Sequence, residues 1–198
     1  MITVFMQHAK NFVSKDASRP IFCSVMFDGE NAIATNSHQM VVVPFKSEVK
    51  MLNYKTGEVV TGYMPKYKQI ISAENPERIV ISRIGMLQWI KSLEIGKKVS
   101  GTQMPFCCIE EERMVVKTTD AEFSTRIDSV SRTKKVSFCV QIPYLLNILK
   151  FLKDVHESYF EQVVIESPEP GKLEPIIIKA GEITAAISQV RVQGKNAV

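Results

Sequence analysis

Cysteine, histidine, tryptophan and glycine are all scarce in this 198-residue chain, at 4, 3, 1 and 9 residues. The four cysteines, Cys23, Cys107, Cys108 and Cys139, have neither the two-residue spacing of zinc ligands nor the density of a disulfide scaffold, so they read as buried thiols. His8, His38 and His156 stand singly, which leaves a metal site without neighbouring ligands. No metal and no cofactor is therefore expected. No apolar run reaches the roughly 18 residues of a membrane-spanning helix, and no charged-then-apolar leader opens the sequence. The expectation is a cytoplasmic protein with no membrane partner. A basic tail is lacking too, because 25 Lys and Arg against 21 Asp and Glu, a net charge of +4, are dispersed along the chain. An excess that small is compatible with an anionic partner and specifies none.

What is present is a helix followed by strands, three times. Ile2, Phe5, Met6, Ala9, Phe12 and Val13 recur at three- and four-residue steps and predict a first amphipathic helix, ended by Arg19-Pro20. Two apolar runs follow, Ile21 to Phe27 and Ala32 to Phe45, split by the turn signal Asp28-Gly29-Glu30. Ser82 is placed to cap a second helix with Met86, Leu87, Ile90 and Leu93 inward, stopped by Gly96. Strands are expected at Phe106 to Glu110, Arg113 to Thr118 and Phe123 to Ser129. Val136 to Val140 alternates as a strand, and Pro143 suits the first turn of a third helix built on Leu145, Ile148, Leu149 and Leu152. Gln162 to Glu166, Pro175 to Ala180 and Ile183 to Val192 close the chain as strands. The expected class is α+β, with about three modules of a helix laid on antiparallel sheet.

The polar helix faces share one character. Thr3, Gln7, Lys10 and Ser14 on the first helix, Gln88 and Lys91 on the second, and Asn147, Lys150 and Lys153 on the third carry amides, hydroxyls and cations without an acid. Such a face suits duplex phosphates without base readout, although an ordinary solvated helix face has the same composition.

Three further stretches carry a family likeness. Phe5 to Phe27 leads into Ala34-Thr35-Asn36-Ser37-His38-Gln39-Met40; Tyr63-Met64-Pro65-Lys66-Tyr67-Lys68-Gln69-Ile70-Ile71 lies mid-chain; Phe138 to Leu152, Leu173 to Ile178 and Ile187 to Val192 close it. In order and spacing these resemble the bacterial DNA polymerase sliding clamp, the β subunit of the replicative polymerase. Its Ala-Thr-Asp-Gly-His-Arg-Leu motif, its Phe-Pro-Asp-Tyr segment and its Met-Pro-Met/Val-Arg-Leu end match those three stretches in turn. The resemblance implies a DNA clamp fold of βαβββ modules, with helices lining a central hole. It divides the chain into a truncated half domain at 1–62, a linker at 63–71 and a complete clamp-like domain at 72–198. An odd module count implies a homo-oligomer, dimer or tetramer.

The same resemblance implies sequence-independent contact with double-stranded DNA. With the helix faces it assigns Lys10, Lys15, Arg19, Gln88, Lys91, Asn147, Lys150 and Lys153 to phosphates. It also implies a pocket, lined by aliphatic side chains, for the clamp-binding peptide motifs of polymerase or repair proteins. Carried over, that pocket comprises Thr35, Ser37, His38, Gln39, Met40, Pro65, Gln69, Ile70, Tyr144, Leu173, Pro175, Val190 and Arg191. Ser37 stands where the family motif has Gly, and Gln39 where it has Arg. The implied function is a non-catalytic processivity or tethering factor; a clamp relative that forms no ring and competes for a full clamp's partners is the alternative. A thiol enzyme using Cys107 or Cys108 with His156 and Asp120 is disfavoured, because Met104 to Ile109 reads as a buried strand.

Overall fold

The computed structural model describes residues 1–72, 76–101, 104–110, 113–117, 122–127, 129–133, 136–169, 172 and 174–191. The longest helix, α3 (Arg83–Ser100), starts where Ser82 caps it, the side chain accepting from the Gly85 N–H at 3.1 Å. It runs past the expected stop at Gly96 to Gly101, which adopts the left-handed conformation at φ 62°. Gly96 serves packing: a Cβ there would lie 2.7 Å from Val116 Cγ2. Trp89, absent from the expected inward set, is buried on this helix, and Leu87, expected inward, is exposed. α4 (Ile142–Asp154) carries Pro143 in its first turn and buries Leu145, Ile148, Leu149 and Leu152 as its period predicts.

The first helix is shorter than its periodicity predicts. α1 (Ile2–His8) gives way to a tighter 3-10 turn at Ala9–Asn11, and the Ser14 N–H then pairs with the Phe22 carbonyl at 2.6 Å. That pull ends the helix while keeping Phe12 in the core, where Phe5 and Phe12 both meet the Phe151 ring edge-on. Residues Pro20–Cys23 form a second 3-10 turn in place of the expected strand, since Pro20 has no N–H to give a ladder.

The strands are β1 (Ser24–Phe27), β2 (Asn31–Thr35), β3 (Gln39–Pro44), β4 (Lys50–Asn53), β5 (Glu77–Ser82), β6 (Phe106–Glu110), β7 (Arg113–Lys117), β8 (Glu122–Arg126), β9 (Ser131–Arg132), β10 (Ser137–Gln141), β11 (Gln162–Ser167), β12 (Ile176–Ala180) and β13 (Ile183–Ile187). The run expected from Ala32 to Phe45 is thus two strands, and the last strand stops at Ile187. They form a nine-stranded sheet in the order β4-β1-β2-β3-β13-β12-β11-β5-β9 and a four-stranded sheet in the order β10-β6-β7-β8, antiparallel throughout. The β3–β13 pairing, with Val42 opposite Thr184 and Gln39 opposite Ile187, welds the N-terminal strands to the last one. Glu166, buried, accepts from Arg78 Nε at 3.0 Å and Lys179 Nζ at 2.7 Å, stitching β5, β11 and β12 together.

Alternation along the strands fills two layers. Val25, Phe27, Ala32, Ala34, Val41 and Val43 face the helices and join the main core. Met26, Ile33, Met40, Val42, Ile177 and Ala186 face the other side, where Val60, Met64, Tyr67 and Ile71 cover them. Residues 63–71, expected as a linker, therefore form a strap on the outer sheet face, including the short helix α2 (Tyr67–Ile70).

Cys108 and Cys139, expected as thiols, are joined in a disulfide, because the register of β6 and β10 sets them opposite one another with Cα atoms 4.0 Å apart. Cys107 points to the opposite face and is a free thiol, pushed up to about 12 by burial. Of the residues named for a thiol enzyme, Cys108 is thus bonded to Cys139, Cys107 is buried, and Asp120 lies outside the described residues.

Candidate functional site

Asn36 folds the turn between β2 and β3, its side chain accepting from the N–H groups of His38 and Gln39 at 3.0 Å each. Thr35 Oγ1 donates to the Gln39 carbonyl at 2.8 Å and accepts from the Ser37 N–H at 3.1 Å. Ser37 sits at φ 77°, a conformation that favours glycine. The turn stands over the end of α1, where buried Gln39 donates through Nε2 to the Asn11 carbonyl at 2.6 Å. Asn147 on α4 donates to the same carbonyl at 3.3 Å, so three segments meet at one oxygen.

Around this junction opens a cleft of about 570 Å³ lined by Lys10, Asn11, Val13, Ser14, Lys15, Arg19, Asn36, His38, Gln39, Met104, Tyr144 and Asn147. The His38 and Tyr144 rings stack on one another in the lining, 7° apart in plane with centroids at 5.9 Å. Burial pushes the Tyr144 hydroxyl up from its ordinary range. Arg19 is held by Asp16 Oδ2 at 3.3 Å and donates to Ser37 Oγ at 3.3 Å, with its guanidinium over the Phe22 ring. Hydrogen bonds from Ser18, and then the Arg19 charge, hold the Asp16 carboxyl below its usual range.

The cleft gathers members of both expected sets. Lys10, Lys15, Arg19 and Asn147, expected on phosphates, meet His38, Gln39 and Tyr144, expected on peptide. The rest of the peptide set lies elsewhere. Thr35 is buried inside the turn; Met40 points to the outer sheet face because β3 alternates; Pro65, Gln69 and Ile70 belong to the strap on that same face. The tail carrying Val190 and Arg191 pairs with β10 through Val190 N–H to Cys139 carbonyl at 2.8 Å, and Gln189 anchors it to the Lys172 and Glu174 carbonyls, next to Pro175. Leu173 lies outside the described residues. Val13 and Met104 supply the aliphatic part of the cleft's lining, and amides, hydroxyls and cations stand beside them. Ser14 belongs to the polar face expected of the first helix, whereas Asn11 and Asn36 were in neither set; of these two only Asn36, an Asn opening a polar turn, carries a sequence signal.

Gln88, Lys91, Lys150 and Lys153 remain on the helix layer, where α4 lies between α1 and α3. Two acids lie on it, correcting the acid-free reading. Glu94 pairs with Lys150 at 2.7 Å and is held below its usual range chiefly by that bond, while Asp154 meets His8 at 2.9 Å. The exposed side of α3 is also less polar than expected, with Ile84, Leu87, Ile95 and Val99 at 71%, 37%, 48% and 49% exposure beside Gln88 and Lys91. Among the described residues no group of three His, Cys, Asp or Glu could hold a metal ion, and no helix is long and apolar enough to cross a membrane.

No family model matches the sequence, and no curated protein matches it. Solved structures do. The β subunit of DNA polymerase from Streptococcus pyogenes superposes with a TM-score of 0.75 at 18% identity, over 96% of this chain and 64% of that one. Caulobacter crescentus pol III beta gives 0.78 at 12% identity over 96% and 64%, and the DNA polymerase sliding clamp from Bacillus subtilis 0.77 at 12% over 96% and 63%. The chain thus spans just under two thirds of the length of these structures. Antiparallel sheets backed by a row of helices, matched over nearly the whole of this shorter chain, give it the fold of the bacterial DNA polymerase III β sliding clamp.

Proposed function

We propose that the chain is a clamp-like tethering factor that holds a replication or repair protein beside double-stranded DNA and does no chemistry of its own. The observation that carries this reading is the helix layer: α1, α4 and α3 stand side by side, with Lys91 and Lys153 exposed on it and Lys150 paired to Glu94. Cations there meet phosphates of any sequence. The cleft beside the layer is the partner site, concave and adjacent to the duplex-facing side.

One observation favours the second reading, a clamp relative that closes no ring. The outer edge of β4, the last strand of the nine-stranded sheet, is occupied by the chain's own residues 58–60: Val59 bridges Leu52, and the Val60 N–H bonds to the Met51 carbonyl at 2.9 Å. That edge is therefore capped against sheet-to-sheet assembly.

Light scattering coupled to gel filtration over a concentration series, followed by retention on nicked circular against linear DNA, separates the readings. A tetramer or closed dimer that stays on circles and slides off linear DNA establishes the tether. A monomer retained equally on both supports the open binding module. Binding that does not fall with rising salt, at about 0.9 log units per log of salt for each neutralised phosphate, overturns DNA contact in either form.

A further inference from the structure

We propose that the cleft is selective for an extended peptide segment carrying carboxylates, a reading that rests on its being the partner site. Its lining includes three permanent cations, Lys10, Lys15 and Arg19, together with His38, and no Asp or Glu. Lys10 and Lys15 have no ion-pair partner among the described residues, and Arg19, whose Nε pairs with Asp16 at 3.3 Å, keeps Nη1 and Nη2 on weak contacts to Ser37 and Ser14 at 3.3 and 3.5 Å. A carboxylate accepts from these donors at a gain in place of the serine hydroxyls, because charge-assisted bonds between a guanidinium and a carboxylate are stronger than those to a neutral hydroxyl.

The uncharged part of the lining is already fixed. Gln39, buried, and Asn147 each donate to the Asn11 carbonyl, and Asn147 also contacts Gln39 Oε1 at 3.5 Å, so the two amides are bound to the floor of the cleft. The stacked His38 and Tyr144 rings supply an aromatic surface in the lining against which a short apolar side chain packs. Concavity decides between the anionic macromolecules. A cleft bounded by a turn, a helix end and Tyr144 admits one extended chain, whereas duplex phosphates meet the open layer carrying Lys91 and Lys153.

The test uses the intact chain and two fluorescein-labelled peptides of about twelve residues, one of Ser and Leu with interspersed Asp and a twin with Asn for each Asp, read by anisotropy. The Asp peptide is expected to bind about tenfold tighter than its twin at about 50 mM salt, with the gap closing towards about 300 mM. Lys15→Glu is expected to weaken the Asp peptide about fivefold or more and to leave the twin unchanged. Lys55→Glu, in the exposed turn after β4, is expected to leave both unchanged. Equal loss on Lys15→Glu and Lys55→Glu would mean diffuse attraction and overturn the proposal. A twin that binds as well as the Asp peptide and is lost on Tyr144→Ala removes carboxylate selectivity but leaves the partner site standing. Binding of neither peptide removes both. A single-stranded oligothymidine that outbinds the Asp peptide and is lost on Lys15→Glu assigns the cleft to nucleic acid and also overturns it.

Discussion

The Tyr67 hydroxyl donates to Asp28 Oδ2 at 2.5 Å, tying the strap on the outer sheet face to the turn between β1 and β2. Asn31 Nδ2 donates to the same hydroxyl at 3.2 Å, and Lys68 stands 3.8 Å from Asp28, so the strap is held by a small polar network above an apolar cluster. Tyr67→Phe keeps the ring in that cluster and removes only the bond to a carboxylate. The expected loss is about 1.5–3 kcal/mol in urea unfolding, with cleavage by protease appearing first within residues 60–71.

Asp28 also gives the fold a pH dependence of known sign. Burial by itself would raise its carboxyl, but bonds from Tyr67 and from the Glu30 and Asn31 N–H groups outweigh it and hold the group below its usual range. The unfolded chain therefore takes up this proton first. The stabilisation is whole above the unfolded value of about 3.9 and disappears as pH falls through the lower folded value. Urea midpoints measured downward from pH 6 should drop below about pH 4, and Asp28→Asn should start lower and show a shallower drop over that window.

Gly96→Ala is expected to destabilise despite the better helix former. Alanine gains about 1 kcal/mol of helix propensity. Its Cβ would stand 2.7 Å from Val116 Cγ2, against a strand that cannot retreat, and such overpacking costs about 1–3 kcal/mol. Combining it with Val116→Ala should recover part of the clash, and thermal unfolding of the two single variants and the double variant forms the cycle that checks this.

Ser37→Gly should move the other way. Ser37 holds φ 77°, which costs an L-residue about 1–2 kcal/mol, and its hydroxyl returns only a 3.3 Å contact with Arg19. A gain of about 0.5–1 kcal/mol is expected by chemical denaturation. A loss instead would show that the Arg19 contact outweighs the backbone strain.

Local signals were legible wherever a few neighbouring residues decide the outcome. The Ser82 cap, the Pro143 start and the buried stripe of α4 all depend on groups within about one helical turn of one another, and the structure has them where the sequence places them. Gly96 was misread because a glycine that ends a helix and one that lets a strand approach look alike until the strand is in place. The cysteines failed for a related reason: Cys108 and Cys139 bond because of a β6–β10 register set by residues far from either.

By itself the sequence determined the class, the three helices and most of the strands, since periodicity and turn chemistry are written in short windows. The likeness to the sliding clamp was likewise carried by short motifs in order. Only tertiary structure decided that β3 pairs with β13, that 63–71 folds back as a strap, and that Gln39 and Met40, adjacent in β3, serve opposite faces of one sheet. Strand alternation sends such neighbours apart, while long-range packing draws Lys10, Arg19, His38 and Tyr144 into one cleft. That convergence depends on burying an apolar core shared by segments at both ends of the chain, and no local window contains it.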